Sequence, residues 1–308
     1  MLQSRTDLAM ESFEGSGQES MPGVQVNHWD AADIQITEVI ITDGDSAKQL
    51  GKPCGNYLTL ECSLLRERDP DARLAMASLL AEEIARILPQ ENPDAPTLVV
   101  GLGNRSITPD SLGPLAVDRT LVTRHMMNSS FAQSGMHSVC AIAPGVLGIT
   151  GIETIEMVES LVGALKPRAI LCIDSLAARD SRRIGSTIQL TNTGIQPGAG
   201  VGNHRKPLTL ESLGTPVISV GMPTVIYAAT LARDAFAWLS RKNGDPEPHD
   251  SALEDMERAL LNAEIGEMIV TPREIDALIQ DAAGIIATGI NRALQPELSD
   301  AEISAMMD

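Results

Sequence analysis

Hydrophobic and polar positions along the chain follow two rhythms, alternation or unbroken apolar runs for strands and a period near 3.6 for helices. Ile34–Ile41 alternates as a strand, and Tyr57–Cys62 forms a second one after the turn-forming Gly55-Asn56. From Asp71 to Leu88 the period lengthens to that of a helix. Leu74, Leu80, Ile84, Ile87 and Leu88 share its apolar side, and Pro89 stops it. Residues 12–32 are rich in Gly, Ser, Glu, Gln and Asp and read as a flexible segment.

The central region repeats a strand–loop–helix unit. Thr97–Val100 is a short buried strand leading into Gly101-Leu102-Gly103-Asn104. Thr108-Pro109-Asp110 then starts a helix, with Thr108 as its cap and Pro109 at the first helical position. Ser138–Ala143 is another strand. Thr150-Gly151-Ile152-Glu153 has capping-box spacing ahead of a stripe of Ile155, Val158, Leu161, Val162 and Leu165. Ala169–Asp174 and Pro216–Val220 are further buried strands, and a helical run follows over Thr224–Leu239. Residues 241–252 form a polar loop, and Thr271-Pro272 caps a last long helix. Buried strands alternating with amphipathic helices predict an α/β fold, a mostly parallel twisted sheet with helices on both faces.

Composition narrows the function. Aromatic residues are only 2% of the 308, so the core is built from Ala, Val, Ile, Leu and Met. A formal charge of −18 argues against direct nucleic-acid binding, which needs clustered Lys and Arg. No apolar run reaches the roughly 18 residues of a membrane span. The N-terminus has no apolar stretch behind a basic start, so no secretory signal is expected. Cys54, Cys62, Cys140 and Cys172 lack C-x-x-C spacing and read as reduced thiols of a cytoplasmic protein, not as a zinc site.

Two carboxylates stand out. Asp110 falls at about the second position of its helix, where unpaired N–H groups favour an acid. Asp174 closes a strand whose preceding four residues are all apolar, and ligands bind beyond such strand ends. Both belong to one edge of the sheet. Two neighbouring carboxylates share a proton, which suits activation of water for attack on an amide and equally suits holding a metal. Gly101-x-Gly103 lacks the third glycine of a dinucleotide fingerprint, since position 106 is Ser. Gly194–Gly202 shapes a loop or a backbone anion nest, and Asn203-His204-Arg205-Lys206 behind it reads as solvated surface or as a contact for substrate carboxylates. The five histidines have no H-E-x-x-H spacing, and no G-x-S-x-G elbow occurs.

Several segments together resemble the germination protease family of endospore-forming bacteria. They include Arg5-Thr6-Asp7-Leu8-Ala9-Met10-Glu11, Gly55–Glu61, Val99–Asn104, Thr108–Pro114, Thr123-Arg124-His125 and Ala143–Thr154. Ile173–Arg179, Pro197–Asn203 and Gly221-Met222-Pro223-Thr224 follow in the family's order, so that most of residues 5–230 is covered.

The resemblance implies an endopeptidase that starts the degradation of small acid-soluble spore proteins, acts in the spore core without a cofactor, and assembles as a tetramer. The family's two proposed catalytic aspartates fall on Asp110 and Asp174. It implies a zymogen that cuts itself between Asp7 and Leu8, since Asp7–Glu11 matches the substrate pattern of acid, bulky aliphatic, Ala, any residue and Glu. Residues 1–7 would be a propeptide and 8–308 one protease domain with a small added β/α subregion. The fold is expected to look like that of the hydrogenase-maturation proteases, whose acidic residues near these places bind a metal. A metal-dependent protease on that fold and a non-catalytic spore-protein binder are the alternative functions. The sequence departs from the family at Asn192 and at Tyr227, where Asp is expected.

Overall fold

The computed structural model describes residues 6–127, 135–198, 205–243, 250–261 and 268–307. One sheet organises them. Its strands are β1 (Val24–Ala31), β2 (Ile34–Ile41), β3 (Gly55–Glu61), β4 (Thr97–Gly101), β5 (Val139–Ile142), β6 (Ala169–Ala178), β7 (Thr187–Thr191), β8 (Val217–Tyr227) and β9 (Ile269–Val270). The order is β1-β2-β3-β7-β8-β6-β4-β5, with β9 added on β8.

The α/β class is as expected, and the sheet is mixed. β5, β4, β6 and β8 form a parallel block. β7, β3, β2 and β1 continue from it antiparallel. Alternate residues of the parallel block separate two cores. Val99, Leu171, Ile173, Ile218 and Val220 face the helices Pro70–Ile87, Leu112–Val117 and Ile275–Leu294. Leu98, Val100, Ile170, Cys172 and Val217 face the helix Thr154–Leu165.

Several sequence expectations change. The segment 12–32 is not uniformly flexible, because it contains the end of the helix Ala9–Glu14 and the whole of β1. β1 pairs along its full length with β2, so ladder hydrogen bonds order it although none of its residues is fully buried. The expected box at Thr150–Glu153 does not form. Gly151 ends a short helix in the left-handed region (φ +69°), and the Thr150 hydroxyl donates to Val146 O. The helix beyond starts at Thr154.

β8 continues through Pro223 to Tyr227, where the hydropathy pattern reads as helix, and the following helix spans Ala228–Asn243. The proline is tolerated because it faces the irregularity between Leu176 and Ala177 of β6. Residues 241–243 therefore belong to a helix, as do residues 250–252, which open the helix Asp250–Leu261. The rest of that polar stretch lies outside the described residues. No helix among the described residues is long and apolar enough to cross a membrane.

The end of β4 meets the helix Leu112–Val117 backbone against backbone. A Cβ on Gly113 would lie 2.3 Å from Leu102 O and 2.6 Å from Ile173 O, both main-chain atoms that cannot swing away. Gly113→Ala is expected to cost at least about 3 kcal/mol by overpacking. Denaturant unfolding reads this as a lower midpoint at unchanged slope. A loss below about 1 kcal/mol contradicts the account.

Candidate active site

Asp110 is positioned by a tight turn. β4 ends at Gly101, and Gly103 adopts φ +109°; a Cβ there would sit 2.1 Å from Asp110 O. Thr108–Asp110 is a single 3-10 turn flanked by Ile107, so Thr108 is not a helix cap. Ser111 leaves helical geometry (φ −98°, ψ 3°), and the α-helix starts only at Leu112. The carboxylate accepts a hydrogen bond from Asn104 N at 2.8 Å, which closes the turn onto the side chain. The Thr224 hydroxyl donates to Pro109 O at 2.8 Å and ties the turn to β8.

Asp174 lies inside β6, not at its end, because the strand runs on to Ala178. It is nevertheless the first residue past the rung where β4 stops, since the last β4–β6 pair is Gly101 with Ile173. Its alternation with Ile170 and Cys172 puts the side chain on the face of the helix Thr154–Leu165, beyond that helix's apolar contacts. Asp174 is 6% exposed and accepts a hydrogen bond from Ser175 N at 2.9 Å.

Asp110 and Asp174 line one cavity of about 210 Å³, together with Asp7 and Arg205. Loss of water pushes the Asp174 carboxyl well above the usual carboxylate range, and the charges of Asp110 and Asp7 push it further. Loss of water also raises Asp110, while the Asn104 N–H and the Arg205 guanidinium pull it back. The balance of these influences favours the protonated form at Asp174 more than at Asp110.

The N-terminal segment reaches this cavity as an extra strand-like piece. Asp7 N donates to Ala177 O at 2.9 Å, and Ala177 N donates to Asp7 Oδ2 at 2.8 Å. Lys52 Nζ donates to Thr6 O at 2.9 Å. Gln189 Nε2 donates to Asp7 O at 3.1 Å, and Gln189 Oε1 accepts from Ala9 N at 2.8 Å. Leu8 is fully buried, packed in a cluster that includes Val39, Ile41, Tyr57 and Leu176. Glu11, also buried, accepts from Arg179 N (2.7 Å), Asp180 N (2.9 Å) and Arg183 Nη1 (3.0 Å).

The family described as germination protease, peptidase A25, matches residues 4–266. The chain belongs to the germination protease family. It is similar to the germination proteases of Caldanaerobacter subterraneus subsp. tengcongensis (43% identical over 317 residues, 98% of each chain) and Clostridium tetani (39% over 321 residues, 99% of each). A third relative is that of Bacillus subtilis, 36% identical over 347 residues, 96% of this chain and 94% of that one. The protein is accordingly a peptidase, a hydrolase of peptide bonds, of the spore-germination type.

In this germination protease the fold brings together Asp7, Asp110 and Asp174. The two departures from the family pattern lie apart from them. Asn192 accepts from Asn56 N at 2.9 Å, and Tyr227 is buried at the end of β8; neither lines the cavity. None of the described histidines lines it either, while His204 and His249 fall outside the described residues. Most of residues 1–7 and part of Gly194–Gly202 are outside them as well. Arg205, read from sequence as solvated surface or a substrate contact, lines the cavity. Gln189 was missed because β7 was not read as a strand, although Thr187–Thr191 alternates polar and apolar residues strictly.

The buried acid gives a stability test. Unfolded, Asp174 titrates near 3.8; folded, it keeps its proton to higher pH. Between those two values only the folded state holds the proton, so stability falls as pH rises through that window. Asp174→Asn removes this loss. The variant is expected to melt above the wild type at about pH 8, with the gap closing near pH 3, where both states of the wild type are protonated. Thermal melts across that range test it, and a difference independent of pH refutes it.

Proposed function

We propose that this germination protease is an aspartate-dependent endopeptidase, formed as a precursor that cuts itself between Asp7 and Leu8, and that its substrates are small acid-soluble spore proteins. One observation carries the reading. Asp7 shares the cavity of Asp110 and Asp174 and is hydrogen-bonded to β6 three residues beyond Asp174. The bond matching the family's substrate pattern therefore lies beside an acid pair that the fold desolvates.

The chemistry follows from the higher proton affinity of Asp174 within the pair. A water oxygen attacks the Asp7 carbonyl carbon as the Asp110 carboxylate takes one of its protons. The C=O electron pair moves onto the carbonyl oxygen. When it returns, the C–N bond breaks and the Asp174 carboxyl gives its proton to the Leu8 nitrogen. Transfer of the proton from Asp110 to Asp174 restores the starting state. Arg205 tempers the negative charge of the cavity and moderates both titrations.

The fold family expected from the sequence implies a metal at this place, and the residues present do not fit one. Among the described residues no group of three or more His, Cys, Asp or Glu could hold a metal ion. The cavity also carries the Arg205 guanidinium, which repels a dication. No step is therefore routed through a metal.

Incubating the purified full chain under mildly acidic conditions tests the proposal, with mass spectrometry following the N-terminus. The wild type is expected to lose residues 1–7 and start at Leu8, then to cut an added small acid-soluble spore protein. Asp110→Asn and Asp174→Asn are expected to be slower by at least about 100-fold. A start other than Leu8, or cutting that survives both substitutions, overturns the assignment. A chelator is expected to leave the rate unchanged; its loss favours the metal-dependent reading, and a wild type that binds the spore protein without cutting it favours the binding protein.

A further inference from the structure

Asp174, Gly221 and Gln189 share one rung of the sheet. Asp174 pairs with Gly221 in the parallel ladder of β6 and β8, and Gly221 pairs with Gln189 in the antiparallel ladder of β8 and β7. Residues paired across a rung point to the same face. The carboxyl and the amide therefore project side by side, separated by two strand spacings of about 4.8 Å each. The residue between them has no side chain. A Cβ on Gly221 would lie 2.6 Å from the Leu176 side chain and 2.8 Å from Asp174 O. The space over Gly221 is filled by the Leu176 side chain, which closes the sheet between the two polar groups.

The segment Thr6–Ala9 is held by hydrogen bonds to both β6 and β7. Asp7 is hydrogen-bonded to Ala177 of β6 on one side and to Gln189 of β7 on the other. The Gln189 contact goes to Asp7 O, the carbonyl oxygen of the Asp7–Leu8 peptide bond itself. The orientation of the amide is set by its other end, because Oε1 accepts from Ala9 N and leaves Nε2 as the donor. Gln189 is 6% exposed, so this donor acts out of reach of bulk water.

We propose that Gln189 is the oxyanion donor of the reaction: its Nε2–H holds the Asp7 carbonyl oxygen as negative charge develops there, and holds the corresponding oxygen of a protein substrate. This rests on the reading that Asp7–Leu8 is the bond cut by the Asp110/Asp174 pair. When water adds to the carbonyl carbon, the electron pair of the C=O bond goes to the oxygen that Gln189 already contacts. When the C–N bond breaks, the pair returns and the donor is left on the new carboxyl group of Asp7. A neutral amide suits this place better than a cation, because a positive charge on the same rung lowers the pKa of Asp174 and strips the proton that the Leu8 nitrogen needs.

Two variants of the full chain separate this role from mere holding of the segment. Gln189→Met removes donor and acceptor at similar size. Gln189→Glu keeps an acceptor for Ala9 N–H and loses the donor while ionised, regaining one O–H when protonated. Self-cleavage, followed by mass spectrometry as a first-order rate, is expected to fall about 100- to 1000-fold in both near neutral pH. Relative to wild type, Gln189→Glu is expected to recover on acidification, and Gln189→Met to remain slow at every pH.

Either variant cutting within about threefold of wild type near neutral pH overturns the assignment. So does an equal loss in both at all pH values, which is the signature of a residue that only holds the segment. A wild type that fails to cut at Asp7–Leu8, or is cut equally in Asp110→Asn and Asp174→Asn, instead removes the underlying protease reading, and the control reactions show this without reference to Gln189.

Discussion

The site depends on strands of unequal length. β6 and β8 run several residues past the end of β4, and Leu102 N closes the end of β4 by donating to Ile173 O at 2.8 Å. Below that rung the sheet is covered by helices and its inward side chains are mainly apolar. Above it β6 has lost one neighbour, and the chain leaving β4 folds back as the turn that carries Asp110. A polar side chain on β6 at the first uncovered rung is thereby forced into a walled space without bulk water. Asp174 occupies that position, and the upward shift of its carboxyl pKa follows from the place.

The uncovered part of the sheet is filled by the N-terminal segment. Leu8, Ala9 and Met10 pack on the face built from Tyr57, Leu176 and Ala178. Polar anchors hold the segment from both ends. Lys52 takes the Thr6 carbonyl, and the carboxylate of Glu11 is met by two backbone N–H groups and Arg183. Arg183 in turn joins Glu14 and Glu61. Such buried ion pairs add little net stability but penalise any arrangement that leaves one member unpaired. They fix the register of the segment, and hence which peptide bond crosses the rung of Asp174.

Much of this architecture was legible in the sequence where the physical cause was local. The apolar runs at Thr97–Val100 and Ala169–Ile173 marked the buried strands, and an acid directly after one of them marked Asp174. Where partners distant in sequence decide the structure, the pattern failed. Ser175–Ala178 carries no strand signal of its own, yet it is a strand because β8 pairs with it and Asp7 hydrogen-bonds to Ala177. Thr224–Tyr227 reads as the start of a helix and is held as strand by β6 and β9. Asp7 is 170 residues from its partner Ala177, a separation at which periodicity carries no information. The resemblance to a family supplied what the pattern could not, by attaching the first residues of the chain to the same chemistry as Asp110 and Asp174.

The complete enclosure of Leu8 has one more consequence. Hydrolysis at that position would turn an uncharged amide, whose N–H now meets the Thr6 hydroxyl, into an ammonium group at a residue closed off from bulk solvent. Desolvating a free cation in this way is far too costly for the packing around Leu8 to stay as it is. The broken ends would have to part, and once apart they could not easily return to rejoin. The packing around Leu8 would thus act as a ratchet, making the first cut a one-way event enforced by the fold and not by any further reaction.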